Sequence, residues 1–229
     1  MITSNNEIIL KEPIPTKTRQ EYYSVIDYPK LMIFEDNYKH ILAELITVLH
    51  SEEKIKLFTP WVEKTLYETS DPEGWQVIPL VMNGIKIKKY CEHFNKLIEI
   101  VDKVTGIVTV VISKLKSDSW ISPHKGYENY ADKILRYHLG LIIPEGDLGF
   151  RVNTAIKYWE NGKSFIFDDS LTHTAWNFTK EDRYILIIDF IRNDQENIDT
   201  LSNLILTEEA KYFYEFYNKE NNSDNIDQK

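Results

Sequence analysis

Six short apolar runs between residues 106 and 191 constrain the fold more than any other feature of the sequence. They are rich in Ile, Val and aromatic residues, which favour strands, and clusters of Gly, Asn and Asp such as PEGDLG and ENGK separate them. Six strands with short connections are typical of an antiparallel barrel or sandwich. The runs are GIVTVVISKL, KILRYHLGLII, FRVNTAIKYW, KSFIFDD, HTAWNF and RYILIIDFI.

The residues before these runs predict two helices with a strand between them. Apolar residues recur at helical spacing in EDNYKHILAELITVLHSEEKI, where Asp36 or Asn37 is a plausible N-cap, and again across residues 87–102. Between these helices, EGWQVIPLVMNGIK predicts a strand that ends in a turn at Asn83-Gly84.

The chain of 229 residues is predicted to form one domain, because no internal repeat and no clear linker interrupts it. We expect an N-terminal arm and helical flank over residues 1–105, a β-barrel core over 106–192, and a C-terminal helix and tail over 193–229. Within these ranges, residues 1–30 predict an extended arm, and TEEAKYFYEFYNKE at 207–220 predicts the final helix.

Charge and cysteine content exclude some classes of protein. The 36 carboxylates outnumber the 27 lysines and arginines to give a net charge of −9, which argues against a nucleic-acid binder because such proteins need a basic footprint. One cysteine excludes an internal disulfide framework and favours a reducing compartment. Neither a signal peptide nor an apolar run long enough to span a membrane is apparent, so we expect a cytoplasmic protein without membrane association.

Strand parity places charged side chains inside the predicted barrel. In KILRYHLGL, Arg136 and His138 share one face, while the opposite face is apolar throughout and is expected to meet a helix layer. Arg183 begins another apolar run. A buried arginine is costly unless it is paired, so two interpretations remain open. Either these arginines bind an anionic ligand, or they form internal ion pairs with Asp168, Asp169 or Asp189.

Two histidines, His124 in SPHKG and His173 in DDSLTH, stand next to predicted strands and are 49 residues apart (173 − 124). A small barrel can bring two such strand ends together. Neutral imidazole binds iron, copper, zinc or nickel, so the histidines alone do not select a metal. Each of them also has the alternative interpretation of an ordinary surface or hydrogen-bonded histidine.

The ordered combination of short motifs resembles the aspartyl/asparaginyl β-hydroxylase family over residues of about 70–190. Members of this family are non-haem Fe(II)/2-oxoglutarate oxygenases, and the resemblance implies a double-stranded β-helix (jelly-roll or cupin-like) core with flanking helices. The motifs are Ser113, Pro123-His124-Lys125-Gly126, Arg136-Tyr137-His138-Leu139-Gly140-Leu141, Trp159-Glu160-Asn161-Gly162-Lys163, Phe167-Asp168-Asp169-Ser170-Leu171-Thr172-His173 and Arg183.

The resemblance implies a role for each matched residue. His124 and His173 would bind iron, while Arg183 and Ser113 would hold the distal carboxylate of 2-oxoglutarate, with O2 as the further co-substrate. Arg136 and His138 would lie near the metal-bound end of 2-oxoglutarate or, for Arg136, near the substrate, and Trp75 matches an active-site tryptophan.

The usual third iron ligand is missing, because Gly126 stands two residues after His124, where the facial triad has a carboxylate. The resemblance makes this glycine expected, and Asp169 is the candidate for an outer carboxylate that orients a metal-bound water. An open metal position keeps a 2-oxoglutarate-dependent halogenase as an alternative. A non-catalytic cupin-like protein that binds a metal or a carboxylate is the other.

The predicted substrate is a small molecule or peptide, namely an amino acid or amino-acid residue of Asp or Asn type. Lys157, Arg151 and Arg136 are candidates for positive charge on the substrate side. Animal members have a second basic residue two positions before the Arg136 equivalent, where this chain has Ile134, so the substrate is less constrained than the cofactor chemistry.

Overall fold

The computed structural model describes residues 19–192 and 208–223, and two antiparallel sheets dominate it. The strands are β1 Tyr22–Tyr23, β2 Thr59–Pro60, β3 Trp75–Met82, β4 Ile85–Lys86, β5 Ile107–Leu115, β6 Ser119–His124, β7 Ile134–Ile142, β8 Leu148–Val152, β9 Ala155–Lys157, β10 Ser164–Phe167, β11 His173–Asn177 and β12 Arg183–Ile191. The helices are α1 Met32–Asp36, α2 Tyr38–Leu49, α3 Lys88–Cys91, α4 Asn95–Val101, α5 Glu128–Ala131 and α6 Glu208–Ser223.

Strand order identifies a double-stranded β-helix. The large sheet runs β1-β10-β7-β12-β5-β3-β2, with β4 on β3, and the small sheet runs β6-β11-β8-β9. The eight strands from β5 to β12 are thus divided four and four between two facing sheets, which enclose the core. The predicted fold class, mainly β with flanking helices, is confirmed.

Two details of the predicted strands are wrong. The run FRVNTAIKYW is not one strand but the hairpin β8–β9, which turns at Asn153 with a positive φ of 49°. Strand β6, which ends at His124, is not among the six predicted runs, although His124 is predicted to stand next to a strand. Among the described strands it lies at the edge of its sheet and pairs with β11. Edge strands tolerate polar residues and proline such as Pro123, so the apolar signal of β6 is weak.

The region before residue 106 contributes more to the sheet than its predicted helical character suggests. Strand β3 forms as predicted and lies between β5 and β2, and the turn after it has positive φ angles at Asn83 (54°) and Gly84 (73°), as expected for an Asn-Gly hairpin. Strand β1, the described end of the N-terminal arm, pairs with β10. The large sheet therefore begins well before the expected core boundary, and residues 1–18 lie outside the described residues.

Helices α1 and α2 cover the outer, apolar face of β7, as its parity predicts. Phe34 packs on Tyr137 with 5.9 Å between ring centroids, and Tyr38 donates a hydrogen bond to the Leu141 carbonyl at 3.1 Å. Asn37 stands at the N-cap of α2, but its side-chain amide donates to the Ile33 carbonyl and does not cap the helix.

The helix predicted over residues 87–102 is in fact two helices, α3 and α4. The break follows from a tertiary contact: the Glu44 carboxylate on α2 accepts hydrogen bonds from the backbone amides of Lys96 (2.7 Å) and Leu97 (3.1 Å). These contacts satisfy the free amides at the start of α4. A cap supplied from another helix leaves no signal in the local sequence. The apolar spacing alone therefore predicts one continuous helix.

The predicted C-terminal helix is confirmed as α6, and it packs on the body of the protein. Phe213 lies against Trp61 with 5.4 Å between ring centroids, and the Tyr217 hydroxyl accepts a hydrogen bond from the Val62 amide at 3.2 Å. None of the helices in the two described ranges combines the length and the apolar character that crossing a bilayer would require. The cytoplasmic location stays a prediction.

Candidate active site

The structure brings the two predicted histidines together. His124 ends β6 and His173 begins β11, the two residues are cross-strand partners, and their ring centroids lie 4.2 Å apart. Each ring has Nδ1 at 2.8 Å from the backbone carbonyl two residues earlier, Ser122 and Leu171 respectively. Because a carbonyl only accepts, each Nδ1 carries the proton and each Nε2 keeps a free lone pair for a metal ion.

Both histidines are held in the neutral form that binds metals. Burial lowers the pKa of His124, and burial together with the neighbouring His124 lowers the pKa of His173 well below its ordinary value. Within the ranges that the structure describes, no three His, Cys, Asp or Glu side chains converge as a metal cluster.

Asp169 fills the space left by the glycine at the third position. A Cβ atom on Gly126 would lie 1.9 Å from Asp169 Oδ2, so no larger residue fits there while Asp169 keeps its place. Asp169 Oδ1 lies 3.5 Å from His173 Nε2, and the Gly126 amide donates to the Asp169 carbonyl at 2.8 Å. The carboxylate is thus beside the metal-binding edge of His173, which agrees with an outer role.

Arg136 is engaged by two buried carboxylates. Its Nε and Nη2 donate to Asp189 at 2.6 and 2.9 Å, while its Nη1 lies 2.7 Å from Asp169 Oδ1 without the alignment of a hydrogen bond. Tyr130, from α5, donates to Asp189 Oδ2 at 3.0 Å, the oxygen that also accepts from Arg136 Nη2. Arg136 therefore follows the ion-pair interpretation, and its predicted contact with 2-oxoglutarate would require these pairs to open.

Arg183 has the opposite surroundings. Its side chain is 1% exposed, and its Nε and Nη1 have no hydrogen-bond partner. Among the described residues no carboxylate forms an ion pair with it. The guanidinium carbon lies over the Trp159 ring, 4.7 Å from the ring centroid. Burial lowers its pKa to about 9, which still leaves the group charged at neutral pH. A buried charge without a counter-ion is unfavourable, and binding of an anion would compensate this cost.

An inner cavity lies between the two sheets, and the unpaired Arg183 guanidinium lines it. Trp159 Nε1 donates to His138 Nδ1 at 3.4 Å, and burial lowers the pKa of His138 well below its ordinary value, so neutral His138 has its proton on Nε2. That Nε2 is buried without a partner. Ser113 accepts a hydrogen bond from Trp75 Nε1 at 3.0 Å on the same cavity wall. The inner cavity thus presents unpaired donors, which suits an anion.

A second, outer cavity adjoins the first, and Trp75, His124 and Arg136 line both. His124 therefore lines both cavities, whereas His173 lines the inner cavity. Aromatic side chains form one wall of the outer cavity, and acidic side chains belong to it as well. Its remaining lining residues are Trp61, Glu63, Met82, Thr109, Lys125, Gly126, Tyr127, Tyr130, Asp169, Asp189 and Phe213.

All eight site residues predicted from the sequence lie at these two cavities or beside them. Two of the residues suggested for substrate charge do not: Arg151 is exposed on β8, and Lys157 lies over the ring of Tyr22 at 4.9 Å, and neither lines a cavity. The eight residues are Trp75, Ser113, His124, Arg136, His138, Asp169, His173 and Arg183.

The sequence patterns did not predict four of the residues that line the outer cavity, Trp61, Glu63, Tyr127 and Phe213. Trp61 and Glu63 belong to an irregular segment, Tyr127 to a loop, and Phe213 to α6, so no common periodicity links them. Asp189 did leave a signal, because it is a carboxylate inside the apolar run RYILIIDFI at the same parity as Arg183.

The fold is a double-stranded β-helix, and two convergent histidines line a cavity with unpaired donors inside it. This combination is typical of an enzyme. The chain belongs to the aspartyl/asparaginyl beta-hydroxylase family, whose sequence model matches residues 35–193. The resemblance seen in the motifs is thereby confirmed.

Curated relatives of the chain are hydroxylases. An ornithine lipid ester-linked acyl 2-hydroxylase of Rhizobium tropici is 30% identical over 172 residues, which are 74% of this chain and 60% of that protein. The human aspartyl/asparaginyl beta-hydroxylase is 32% identical over 161 residues, 68% of this chain and 20% of that protein. The chain therefore spans less than two thirds of the length of either relative.

Among solved structures, a prolyl hydroxylase from Trichoplax adhaerens in complex with a hypoxia inducible factor peptide aligns with 72% of this chain and 82% of its own. The TM-score is 0.48 and the sequence identity 10%.

Proposed function

We propose that this protein is an Fe(II)- and 2-oxoglutarate-dependent dioxygenase that hydroxylates an unactivated C–H bond. The observation that carries the proposal is the position of the paired histidines, His124 and His173, at the cavity that holds the unpaired, buried Arg183. A metal site alone would fit many proteins. A metal site that shares one chamber with a cation lacking its counter-ion fits a reaction with an anionic co-substrate.

The donors of the inner cavity suit a dicarboxylate. Arg183 offers Nε and Nη1 at the depth of the chamber, where a two-pronged contact to one carboxylate would compensate the cost of its burial. His138 offers its Nε2 proton from the neighbouring strand β7. Ser113 faces the same chamber from β5. Phe150 and Phe167 complete apolar walls that keep water from the ligand.

The metal fits the donors that are present. His124 and His173 would hold it through Nε2, because each Nδ1 is directed at a backbone carbonyl, and two neutral imidazoles suit iron. Bound Fe(II) supplies the activation of O2 that no side chain can provide. The chain itself contributes the orientation of the co-substrate, the exclusion of water and the placement of the substrate.

Asp169 supplies the negative charge next to the metal edge that a third ligand would otherwise supply. Its position is fixed from both sides, by the Gly126 amide on the backbone and by Arg136 on the side chain. A carboxylate so placed can accept a hydrogen bond from a metal-bound water and hold it in one orientation.

The substrate proposed is an amino acid or an amino-acid residue, free, carrier-bound or within a peptide. A second candidate is an aliphatic acyl chain, and one observation favours it: the outer cavity has an aromatic wall in which Trp61 stacks on Trp75 at 4.7 Å between centroids. The Rhizobium relative named for acyl 2-hydroxylation agrees with this candidate. An acidic side chain as substrate finds less support, because Arg136 is already held by two carboxylates.

The two alternatives raised by the sequence find less support as well. A halide next to the metal would meet the Asp169 carboxylate, whose negative charge disfavours a second anion there. A non-catalytic carboxylate receptor would need only the inner cavity, and does not account for an outer cavity that His124 also lines.

The test measures two quantities, bound iron per chain and succinate formed from 2-oxoglutarate. With Fe(II), O2 and a mixture of amino acids, peptides and acyl compounds, the wild-type chain is expected to form succinate and to add one oxygen to a substrate, seen by mass spectrometry. His173→Ala is expected to lose iron and turnover, by about 100-fold or more. His40→Ala, which changes an exposed histidine on α2, is the matched control and should behave as wild type. Iron retained by His173→Ala, or no succinate from the wild type under any condition, would refute the proposal.

A further inference from the structure

We propose that the outer cavity binds a substrate that carries a cationic ammonium group, and that Glu63 holds this group against the aromatic wall. The inference deepens the proposed function and rests on it in one respect, because it takes the outer cavity as the substrate chamber. It narrows the substrate from any amino-acid or acyl compound to one with a free amine.

The first observation concerns the surroundings of Glu63. It is half-buried, its side chain lines the outer cavity, and Trp61 Nε1 donates to its Oε2 at 3.3 Å. Among the described residues, no lysine or arginine forms an ion pair with it, whereas Asp169 and Asp189 share Arg136. Glu63 is thus a carboxylate oriented by a neutral donor, with acceptor capacity left for a ligand.

The charges that face the chamber are the second observation. Three carboxylates line it, Glu63, Asp169 and Asp189, against two cationic side chains, Arg136 and Lys125. Arg136 spans Asp169 and Asp189, so it leaves no charge for an anionic ligand. Lys125 is exposed. A cation therefore meets a more favourable field than an anion in this cavity.

The wall next to Glu63 is the third observation. Trp61 stacks on Trp75 and lies 5.4 Å from Phe213, and Phe213 lies 5.3 Å from Tyr127 between ring centroids. Aromatic faces attract organic cations, and a tryptophan beside a carboxylate is a favourable setting for an alkylammonium group. Trp75 continues the wall to His124, at 6.5 Å between centroids. An ammonium at Glu63 would thus leave an attached aliphatic chain directed along the wall towards the histidine pair.

The experiment compares three probes with the same six-carbon chain: hexylammonium, hexanoate and hexanol. Each is titrated into the full chain without added iron or 2-oxoglutarate, and binding is followed by calorimetry and by tryptophan fluorescence, to which Trp61 and Trp75 contribute. We expect hexylammonium to bind about tenfold more tightly than hexanol, and hexanoate to bind no better than hexanol.

The matched variants are Glu63→Gln and Lys125→Gln. The amide in Glu63→Gln can still accept the Trp61 hydrogen bond, so the wall is preserved while the charge is removed. We expect Glu63→Gln to lose the tenfold preference for hexylammonium and Lys125→Gln to keep it. Preferential binding of hexanoate, or a preference for hexylammonium that persists in Glu63→Gln, would overturn the inference.

The two proposals fail separately. Ammonium binding that depends on Glu63, in a protein that forms no succinate with iron and 2-oxoglutarate, would support the ammonium site and refute the dioxygenase. Succinate formation that couples only to uncharged or acidic substrates would support the dioxygenase and refute the ammonium site.

Discussion

Arg136, whose side chain is 13% exposed, and Arg183, which is 1% exposed, lie on neighbouring strands β7 and β12 and line the same cavity, yet their surroundings differ in charge. Arg136 is held by Asp189 and Asp169 at distances below 3 Å. Arg183 has Trp159 over its guanidinium and two nitrogen donors without partners. The first is part of the protein's own ion network, and the second is left for a ligand.

This difference shows how an arginine that binds a ligand can be distinguished from an arginine that stabilises the fold. A buried cation whose counter-ions come from the chain stabilises the fold, and removing it leaves buried carboxylates without a partner. A buried cation without a counter-ion lowers stability in the free protein and gains its partner only when an anion binds. We therefore expect a substitution of Arg136 to lower the free energy of unfolding, and a substitution of Arg183 to lower the affinity for the anion instead.

The largest effect is expected for Arg136→Met. Asp169 and Asp189 would lose their common partner while each is only 1% exposed, so we expect the free energy of unfolding to fall by about 3–5 kcal/mol. Urea denaturation followed by circular dichroism measures this. A variant as stable as the wild type would show that the ion network is not structural, and the contrast between the two arginines would break down.

Arg183→Met is expected to act on affinity and not on stability. The two-pronged contact would be lost, so the affinity for 2-oxoglutarate should fall by about 100-fold, while the free energy of unfolding of the free protein should stay level or rise. Calorimetric titration with 2-oxoglutarate and urea denaturation of the same sample separate the two outcomes. If Arg183→Met were instead destabilised as strongly as Arg136→Met, Arg183 would have to be counted as structural.

Gly126→Ala tests whether the position of the Asp169 carboxylate matters for turnover. The new methyl group would need the space of Asp169 Oδ2, 1.9 Å from the Cβ position, so the carboxylate must move away. We expect substrate-dependent succinate formation to fall by about tenfold, with smaller change in 2-oxoglutarate affinity, because Arg183 is untouched.

The comparison for this variant is Asp169→Ala and the double variant Gly126→Ala/Asp169→Ala. If the glycine acts only by making room for the carboxylate, the effects of the two changes on turnover will not add. Additive effects would assign Gly126 a separate role.

The smallest effect is expected for Arg151→Gln, the matched control for the two arginines that line the inner cavity. Arg151 is exposed on β8 and lines neither cavity. The free energy of unfolding should change by less than about 0.5 kcal/mol, and the affinity for 2-oxoglutarate should not change. A clear loss of affinity would mean that long-range charge, and not the position of Arg183, governs binding.

The barrel and its inner wall could be predicted from the sequence because local patterns encode them. Alternation in KILRYHLGL placed Arg136 and His138 inside and an apolar face outside, and the structure bears out both, with Tyr137 packed on Phe34. The order of the motifs around His124 and His173 indicated the fold. The predicted contacts of Arg183 and Ser113 with 2-oxoglutarate stay predictions.

Other features could not be predicted, because the contacts that create them join distant segments. The break between α3 and α4 depends on Glu44, about fifty residues earlier in the chain. The outer wall brings Trp61 together with Phe213 from α6. Strand β6 is stabilised by pairing with β11 and not by its own composition.

The sequence by itself determined which residue types face the interior, since a strand side chain can only point to one face or the other. Tertiary structure alone decided which buried arginine has a counter-ion. Parity places Asp189 inside, but only the strand register sets it opposite Arg136, while Arg183 on the same strand faces Leu115. Charge pairing depends on distances of a few ångströms across strands, and those distances exist only after the sheets have formed.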